Sequence, residues 1–274
     1  ASVKEEDFVE QLIVANTHDT LLCFSNLGKV YWLKVYEIPQ ASRVAKGRPL
    51  VNLIQLDSEE RITSLLNVES FDAAGFVFMA TMKGVVKKTP LEDFRLPRKN
   101  GKRAIKLDAK DELVGTKITD GKQHIMLISD AGKAVYFDEK DSRPLGRDTR
   151  GVKGIELEDE QNVISLMVPG SEDEILTVSE NGFGKKSRIT DFRKTKRGAK
   201  GVIAMQLSER NGKLISAVQV LDEDEVILIT DKGTLVRTKV SEISTFGRNT
   251  QGVRVIKLKE NEKLNKLALA LEKD

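Results

Sequence analysis

The sequence predicts an all-β, propeller-like array of four-stranded blades, with about 50 residues in each blade. The first supporting observation is that five glycines follow short apolar runs at spacings of 56, 48, 50 and 51 residues. The second is that another glycine follows each of them after 17 or 19 residues. The third is a β-prone run that comes 12–15 residues after the second glycine. Three landmarks in a fixed order, repeated five times, indicate one structural unit used five times.

The first landmark is typical of a β-hairpin. In the third copy the run Ile125-Met-Leu-Ile-Ser-Asp-Ala leads to Gly132, and Ala134-Val-Tyr follows. A tight turn between two strands needs a positive φ, which glycine adopts without the steric cost of a Cβ. The matching hairpin glycines of the other copies are Gly28, Gly84, Gly182 and Gly233.

The second and third landmarks complete each unit. The second glycines are Gly47, Gly101, Gly151, Gly201 and Gly252. The predicted repeats lie near residues 18–73, 74–121, 122–171, 172–222 and 223–274. Residues 7–16 match the third landmark, so we interpret residues 1–17 as the end of a truncated first repeat whose hairpin lies upstream. We expect a single domain over residues 1–274, with five whole repeats and the tail of a sixth.

The composition excludes several classes of function. Cys23 is the only cysteine, which excludes a disulfide framework and a thiolate metal site. His18 and His124 are the only histidines and lie far apart in the sequence, which argues against a histidine-built metal centre or catalytic triad. No apolar run reaches about 18 residues and no signal peptide is evident, so we expect a cytoplasmic protein without a cofactor or metal in this domain.

Positive charge is concentrated between the first and second glycines. Residues 182–201 carry eight basic residues against one acid, a net charge of +7, whereas the whole chain is only +3. Residues 84–103 have a net charge of +5. Acidic residues collect before the first and third landmarks, as in 156–160 and 222–225. A single basic loop is usually only solvated surface, but five in equivalent positions favour a belt that faces a polyanion, with the acids on another edge.

Duplex DNA fits such a belt, because Lys and Arg contact phosphates without reading bases. A duplex that follows a belt has to bend. Aromatic residues make up only 5% of the chain, which argues against a stacking platform for single strands. The predicted phosphate contacts are Arg43, Lys46, Arg48, Lys87, Lys88, Arg98, Lys99, Arg103, Arg147, Arg150, Lys185, Lys186, Lys194, Lys196, Arg197, Lys200, Arg237, Arg248 and Arg254.

The sequence nominates no catalytic residue. No segment fits the phosphate-binding pattern GxxxxGK[ST], and Gly182-Phe-Gly184 is better explained as a hairpin turn. Tyr31, Tyr36 and Tyr136 lie in β-prone hairpin runs, where a core or edge role is more plausible than a nucleophile.

Several segments together resemble the C-terminal domain of the A subunit of bacterial DNA gyrase, over essentially the whole chain. They are Val14-Ala-Asn-Thr-His-Asp19, Gly47-Arg-Pro-Leu-Val-Asn-Leu53, Phe78-Met-Ala-Thr81, Lys87-Lys-Thr89, Glu209-Arg-Asn-Gly212, Thr234-Leu-Val-Arg-Thr238, Val240-Ser-Glu-Ile-Ser244 and Gly247-Arg-Asn-Thr-Gln-Gly252. The resemblance implies a six-bladed β-pinwheel, a propeller variant whose blades exchange hairpins. It also implies that DNA bends around the basic outer rim and that this wrapping serves negative supercoiling by gyrase.

The resemblance further implies the setting of the domain. Gyrase is an ATP-hydrolysing type II topoisomerase, an isomerase, in which ATP and Mg²⁺ act outside this domain. The implied partners are double-stranded DNA and the remainder of the gyrase A and B chains in an A2B2 complex, in the bacterial cytoplasm near the nucleoid. The isolated domain is expected to be a monomer, with no membrane partner.

One motif departs from the family pattern. The family's hallmark box, Gln-Arg-Arg-Gly-Gly-Lys-Gly, does not occur in this sequence. The segment Thr195-Lys-Arg-Gly-Ala-Lys-Gly201 comes closest, and Lys196 and Arg197 supply its two adjacent cations.

Three alternatives stay open at this stage. Within DNA binding, the matching domain of topoisomerase IV is the close rival. A protein-interaction propeller that uses its acidic face belongs to a different class. A propeller enzyme would need a convergent polar site, which the sequence does not nominate.

Overall fold

A computed structural model describes residues 13–41 and 47–270 of the chain. Within these ranges there are strands and short 3-10 helices but no α-helix. In chain order the strands are β1 (Thr20–Ser25), β2 (Lys29–Lys34), β3 (Ile62–Val68), β4 (Phe76–Thr81), β5 (Val85–Pro90), β6 (Lys102–Arg103), β7 (Leu113–Thr119), β8 (His124–Ser129), β9 (Lys133–Asp138), β10 (Val152–Lys153), β11 (Val163–Met167), β12 (Glu174–Ser179), β13 (Phe183–Arg188), β14 (Val202–Ile203), β15 (Leu214–Val220), β16 (Glu225–Thr230), β17 (Leu235–Lys239), β18 (Val253–Arg254) and β19 (Leu264–Ala270). The 3-10 helices span Val35–Glu37, Leu50–Asn52, Leu91–Phe94, Glu139–Asp141, Ile189–Asp191 and Val240–Glu242.

The five predicted hairpins are confirmed. They are β1–β2, β4–β5, β8–β9, β12–β13 and β16–β17, and each is antiparallel. The third landmark of each repeat forms a further antiparallel strand beside the hairpin, namely β3, β7, β11, β15 and β19. Gly132 turns the third hairpin with a φ of 71°, as the glycine pattern predicted.

The fourth strand of a sheet comes from the loop of the following repeat. We call β6, β10, β14 and β18 the donated strands; each has two residues and pairs antiparallel with β2, β5, β9 and β13 respectively. In the third sheet, for example, Val202 pairs with Ala134 and Ile203 with Lys133. The donated strand begins just after the second glycine, so the second landmark marks the point where the chain crosses to the preceding sheet.

The fifth sheet differs from the prediction of four-stranded blades. Its strand order is β17–β16–β19, with three strands among the described residues. No strand of the described ranges pairs with the free edge of β17, where Leu235 is 37% exposed. The sheet is otherwise built like the other four.

The described residues divide into two compact units. The first contains residues 13–123 and 139–154, without the gap at 42–46, and the second contains 124–138 and 155–270. The expectation of a single domain over residues 1–274 therefore stays a prediction. The predicted tail of a truncated repeat lies mostly in residues 1–12, outside the described residues.

Each unit has its own apolar core between neighbouring sheets. In the first unit Leu22 and Phe24 of β1 pack with Met79 of β4 and with Phe94, whose ring meets that of Phe24 edge-on at 5.9 Å. In the second unit, buried apolar side chains of β8 belong to one equivalent cluster and those of β12 to another. Alternate strand residues point to the same face, which is why short β-prone runs suffice to build these cores. No helix in the described ranges is long and apolar enough to cross a membrane.

The thiol of Cys23 is expected to be unreactive in the folded protein. Cys23 is fully buried beside Leu21, Tyr31 and Leu33, and burial raises the pKa of its thiol to about 12. Since the thiolate is the reactive form, a maleimide or aromatic disulfide reagent at pH 8 should label no thiol in the native protein. It should label one thiol per chain in guanidinium chloride. Rapid labelling under native conditions would contradict the burial of Cys23.

Candidate nucleic-acid interface

The basic segments form loops that lie along the edge strand of the preceding sheet. In the fourth repeat the loop leaves β13 and runs back to the donated strand β14 on β9. On the way the Thr195 amide donates to the Tyr136 carbonyl at 2.7 Å. The loops of the third and fifth repeats make the same contact, from Leu145 to Lys88 at 2.8 Å and from Phe246 to Lys186 at 2.9 Å. Each of these three loops is therefore held by backbone hydrogen bonds at its middle and at its end.

Most of the predicted phosphate contacts reach solvent. The exposed ones are Arg48, Arg98, Lys99, Arg103, Arg150, Lys194, Lys196, Lys200, Arg237 and Arg254, and the half-buried ones are Arg147, Arg197 and Arg248. Arg43 and Lys46 lie outside the described residues.

In the second unit, the loop of residues 191–201 carries the densest exposed charge. Its backbone is anchored at Thr195 and again at Ala199, whose carbonyl accepts from the Glu156 amide at 3.0 Å. Lys194 lies over the Tyr136 ring, with its Nζ 6.0 Å from the ring centroid. Gly198 and Gly201 have φ values of 78° and 79°, so the loop turns sharply between its anchors. A fixed backbone with exposed lysines suits a surface that meets phosphates at defined points.

Two loops of the first unit meet and concentrate cations. Arg147 donates to the Arg103 carbonyl at 3.3 Å, which bridges the loop of the third repeat to that of the second. Burial and the nearby cations Arg147 and Arg98 lower the pKa of Lys102. The exposed ion pairs Arg150–Asp108 at 2.8 Å and Arg103–Asp148 at 3.8 Å contribute little to the stability of the fold, because both partners of each pair are solvated. These arginines are therefore available to exchange a carboxylate for a phosphate.

Four of the predicted contacts are corrected by the structure. Lys87 and Lys185 have no exposed surface, and Lys88 and Lys186 are 4% exposed. The Lys88 ammonium donates to the Glu139 carbonyl at 3.0 Å, and that of Lys186 lies 2.9 Å from Glu174 and also contacts Asp222. Assigning these lysines to phosphate contacts was wrong, because their ammonium groups lie beneath the loop that covers their strand.

The separation of acids from bases is also less complete than predicted. Glu174 accepts from the Thr245 hydroxyl at 2.8 Å, and Arg237 forms an ion pair with Glu225. Both acids lie at the strand ends where a basic loop begins. Acids before the first landmark therefore partly neutralise the start of these loops, while the 191–201 loop keeps an excess of exposed cations.

The predicted set of contacts omitted some exposed cations of the same surface. Arg193 lies in the 191–201 loop, and Lys106 follows the donated strand β6. Arg193 belongs to the same basic run and would have been found by counting every cation of the loop. Among the described residues, no group of three His, Cys, Asp or Glu side chains could hold a metal ion.

The sheets and their exchanged strands define a class of protein, the β-propeller-type arrays in which each repeat completes the sheet before it. The comparison with known families narrows this class. The family model described as DNA gyrase C-terminal domain, beta-propeller, matches residues 19–69, 75–120, 123–169, 173–220 and 224–270. The chain belongs to the DNA gyrase C-terminal domain family. The predicted fold class is thereby confirmed.

Curated relatives agree with this family. The chain is 50% identical over 260 residues to the A subunit of DNA gyrase from Klebsiella oxytoca, a match that covers 95% of the chain and 30% of the relative. It is 51% identical over 262 residues to the A subunit of DNA gyrase from Escherichia coli strain K12, which covers 96% of the chain and 30% of the relative. The chain thus spans about a third of the length of these full-length relatives and corresponds to their C-terminal domain.

Solved structures share the fold. The C-terminal domain of DNA topoisomerase IV matches with a TM-score of 0.90 and 27% identity, covering 98% of the chain and 84% of that structure. The DNA gyrase A C-terminal domain matches with a TM-score of 0.78 and 26% identity, covering 95% and 89%. The backbone is thus similar to both domains, and the higher sequence identity to the gyrase relatives supports the gyrase context over the topoisomerase IV alternative.

Proposed function

We propose that this domain is a non-catalytic module that binds duplex DNA without sequence specificity and bends it along its basic loops. The observation that carries the proposal is the row of exposed cations on loops whose backbones are anchored to the neighbouring sheet, as in Lys194, Lys196 and Lys200. In this function the domain serves negative supercoiling by a gyrase. Its partners are double-stranded DNA and the remainder of the gyrase A and B chains in an A2B2 complex.

Electrostatics makes the proposal quantitative. A duplex carries one negative charge for about every 1.7 Å of its axis, and each phosphate neutralised by Lys or Arg releases a condensed counterion. The logarithm of the affinity then falls against the logarithm of the salt concentration with a slope of about −0.9 per contact. Anchored loops restrict where these contacts form, so that a stiff duplex has to adapt its path to them.

A salt titration with a duplex of about 40 base pairs, labelled at both ends with an energy-transfer pair, tests the proposal. We expect tight binding near 50 mM salt, a steep loss of affinity with added salt, and higher energy transfer on binding because the duplex bends. EDTA and the absence of nucleotide should leave binding unchanged, because the contacts need neither metal nor ATP. Duplexes of scrambled sequence should bind within a few-fold of one another.

Two outcomes would reject this function in whole or in part. Absent binding at low salt would remove DNA as the ligand and favour a protein partner for the acidic residues. Salt-sensitive binding without a change in energy transfer would leave DNA binding but remove bending.

A further inference from the structure

Two buried lysines connect consecutive repeats in a way that the sequence did not reveal. The Lys87 ammonium donates to the carbonyl oxygens of Gly146 at 2.9 Å and Arg147 at 2.6 Å, and to that of Ala104 at 2.6 Å. The Thr149 carbonyl lies at 3.4 Å. The three protons of the ammonium are therefore directed at backbone oxygens, two of them in the loop of the following repeat.

The second unit contains the same arrangement. The Lys185 ammonium donates to the Gly247 carbonyl at 2.8 Å and the Arg248 carbonyl at 2.6 Å, and to the Ser187 hydroxyl at 3.0 Å. Lys87 and Lys185 both stand three residues after their hairpin glycine. Each ammonium donates hydrogen bonds to the carbonyl oxygens of a Gly-Arg pair in the loop of the next repeat.

The lysine and the Gly-Arg pair occur together within this chain. At the same strand position the first and third repeats have Tyr31 and Val135, and the loops that follow them contain Arg98-Lys99 and Lys196-Arg197 instead of Gly-Arg. In the first repeat the Tyr31 ring occupies the space beside Gly101, where a Cβ would come within 2.7 Å of the ring. Among the four repeats that another repeat follows, the lysine therefore occurs only where the following loop contains Gly-Arg.

The held arginines in turn bridge two loops. Arg147 donates to the Arg103 carbonyl at 3.3 Å, and Arg248 donates to the Ile203 carbonyl at 3.0 Å and to the Asp191 carbonyl at 3.1 Å. Arg103 and Ile203 occupy the same place in their donated strands, two residues after the second glycine. Each arginine is half-buried and therefore lies where two consecutive basic loops meet.

We propose that Lys87 and Lys185 are positioning residues for DNA binding, each of which fixes the backbone of a Gly-Arg loop so that Arg147 or Arg248 joins two consecutive loops into one phosphate-binding surface. This inference rests on the proposed function. A lysine suits the task because carbonyl oxygens stabilise its protonated form, while an apolar side chain would leave buried carbonyls unpaired.

Burial opposes the charged form of each lysine, whereas the carbonyl oxygens around its ammonium favour that form. Burial lowers the pKa of Lys87 to about 7 and that of Lys185 to about 8. Asp148 and Asp93 oppose this shift at Lys87 and Arg147 adds to it, while Asp191 and Arg248 have the corresponding effects at Lys185. Desolvation thus disfavours the charged form of the two lysines, while their hydrogen bonds fix the backbone of each loop.

Methionine variants test the proposal, because methionine has a similar length and no donor. In Lys87→Met we expect hydrogen exchange of the Leu145 and Thr149 amides, which donate to the Lys88 and Gly146 carbonyls, to become at least about tenfold faster without DNA, and duplex affinity to fall about fivefold. Leu22→Ala is the matched control, since it weakens the core of the same unit from β1, a strand that does not pair with β5. It should leave both readouts within twofold of the parent.

A double-mutant cycle with Arg147→Ala separates positioning from a general loss of stability. If Lys87 acts through Arg147, adding Arg147→Ala to Lys87→Met should cost little further affinity. Fully additive losses would overturn the inference, as would parent-like exchange in Lys87→Met. Lys185→Met with Arg248→Ala repeats the cycle in the second unit. If a methionine variant does not fold, the glutamine variant of the same lysine, which keeps two donor protons, replaces it. Absence of DNA binding by the parent protein would reject the proposed function instead, while the exchange measurement would still judge the positioning of the loop.

Discussion

A Gly132→Ala variant is expected to lose about 3 kcal/mol of its free energy of unfolding. Gly132 turns the third hairpin with a φ of 71°, which costs an alanine about 1 kcal/mol. An added Cβ would also stand 2.5 Å from the Met205 carbonyl oxygen, and relieving that overlap costs about 1–3 kcal/mol more. The crowding arises because the Gly132 carbonyl accepts from the Ala204 amide at 2.8 Å, so the residues that follow the donated strand β14 cross directly over the turn.

Gly233→Ala is the matched control for this prediction. Gly233 has the equivalent place in the fifth hairpin and a φ of 79°, but no atom lies within 4 Å of the position that a Cβ would take there. Gly233→Ala should lose only the cost of a positive φ for alanine, about 1 kcal/mol of the free energy of unfolding. Urea unfolding followed by circular dichroism measures both variants. Equal losses in the two would mean that the residues after β14 do not press on the hairpin turn in solution.

Removing the three exposed lysines of the 191–201 loop is expected to have the largest effect on DNA binding. In Lys194→Ser, Lys196→Ser and Lys200→Ser combined, three phosphate contacts are lost. Each contributes about a factor of ten in affinity at 0.1 M salt, so we expect a fall on the order of 10³-fold and a salt slope smaller in magnitude by about three. Stability should change little, because the three side chains are exposed and the anchors of the loop are backbone groups.

The control for this variant carries the same change in net charge elsewhere. Lys122, Lys213 and Lys259 are exposed and lie outside the basic loops. Their combined replacement by serine should lower affinity by less than about tenfold at 0.1 M salt. If both triple variants lose affinity equally, net charge rather than the loop governs binding. Fluorescence anisotropy over a range of salt concentrations decides between these outcomes.

Much of the fold was predictable because its signals are local. A hairpin needs two β-prone runs and a residue that tolerates positive φ, and five copies of that pattern are written along the chain. The basic loops were equally visible as runs of Lys and Arg. The donated strands were less so, since two residues such as Val202 and Ile203 carry no pattern by themselves and take their strand conformation from β9.

The candidate site was only partly predictable. Lys87 and Lys196 look alike in the sequence, since each stands in a basic run after a hairpin glycine. Their burial differs because the loop of the next repeat, about sixty residues along the chain, covers β5 and supplies carbonyl oxygens to Lys87. A pattern read over a few residues does not contain that contact.

The repeat, the hairpins, the loops that hold the positive charge and the lack of a nominated catalytic residue all follow from the order of the amino acids. They depend on residue types at fixed spacing, because turn conformation, strand propensity and charge are properties of short segments. Which cations face solvent, and which hold loops together inside the protein, emerges only once the repeats pack against one another. Burial and hydrogen bonding of a lysine depend on segments far apart in the chain that the exchange of strands brings into contact.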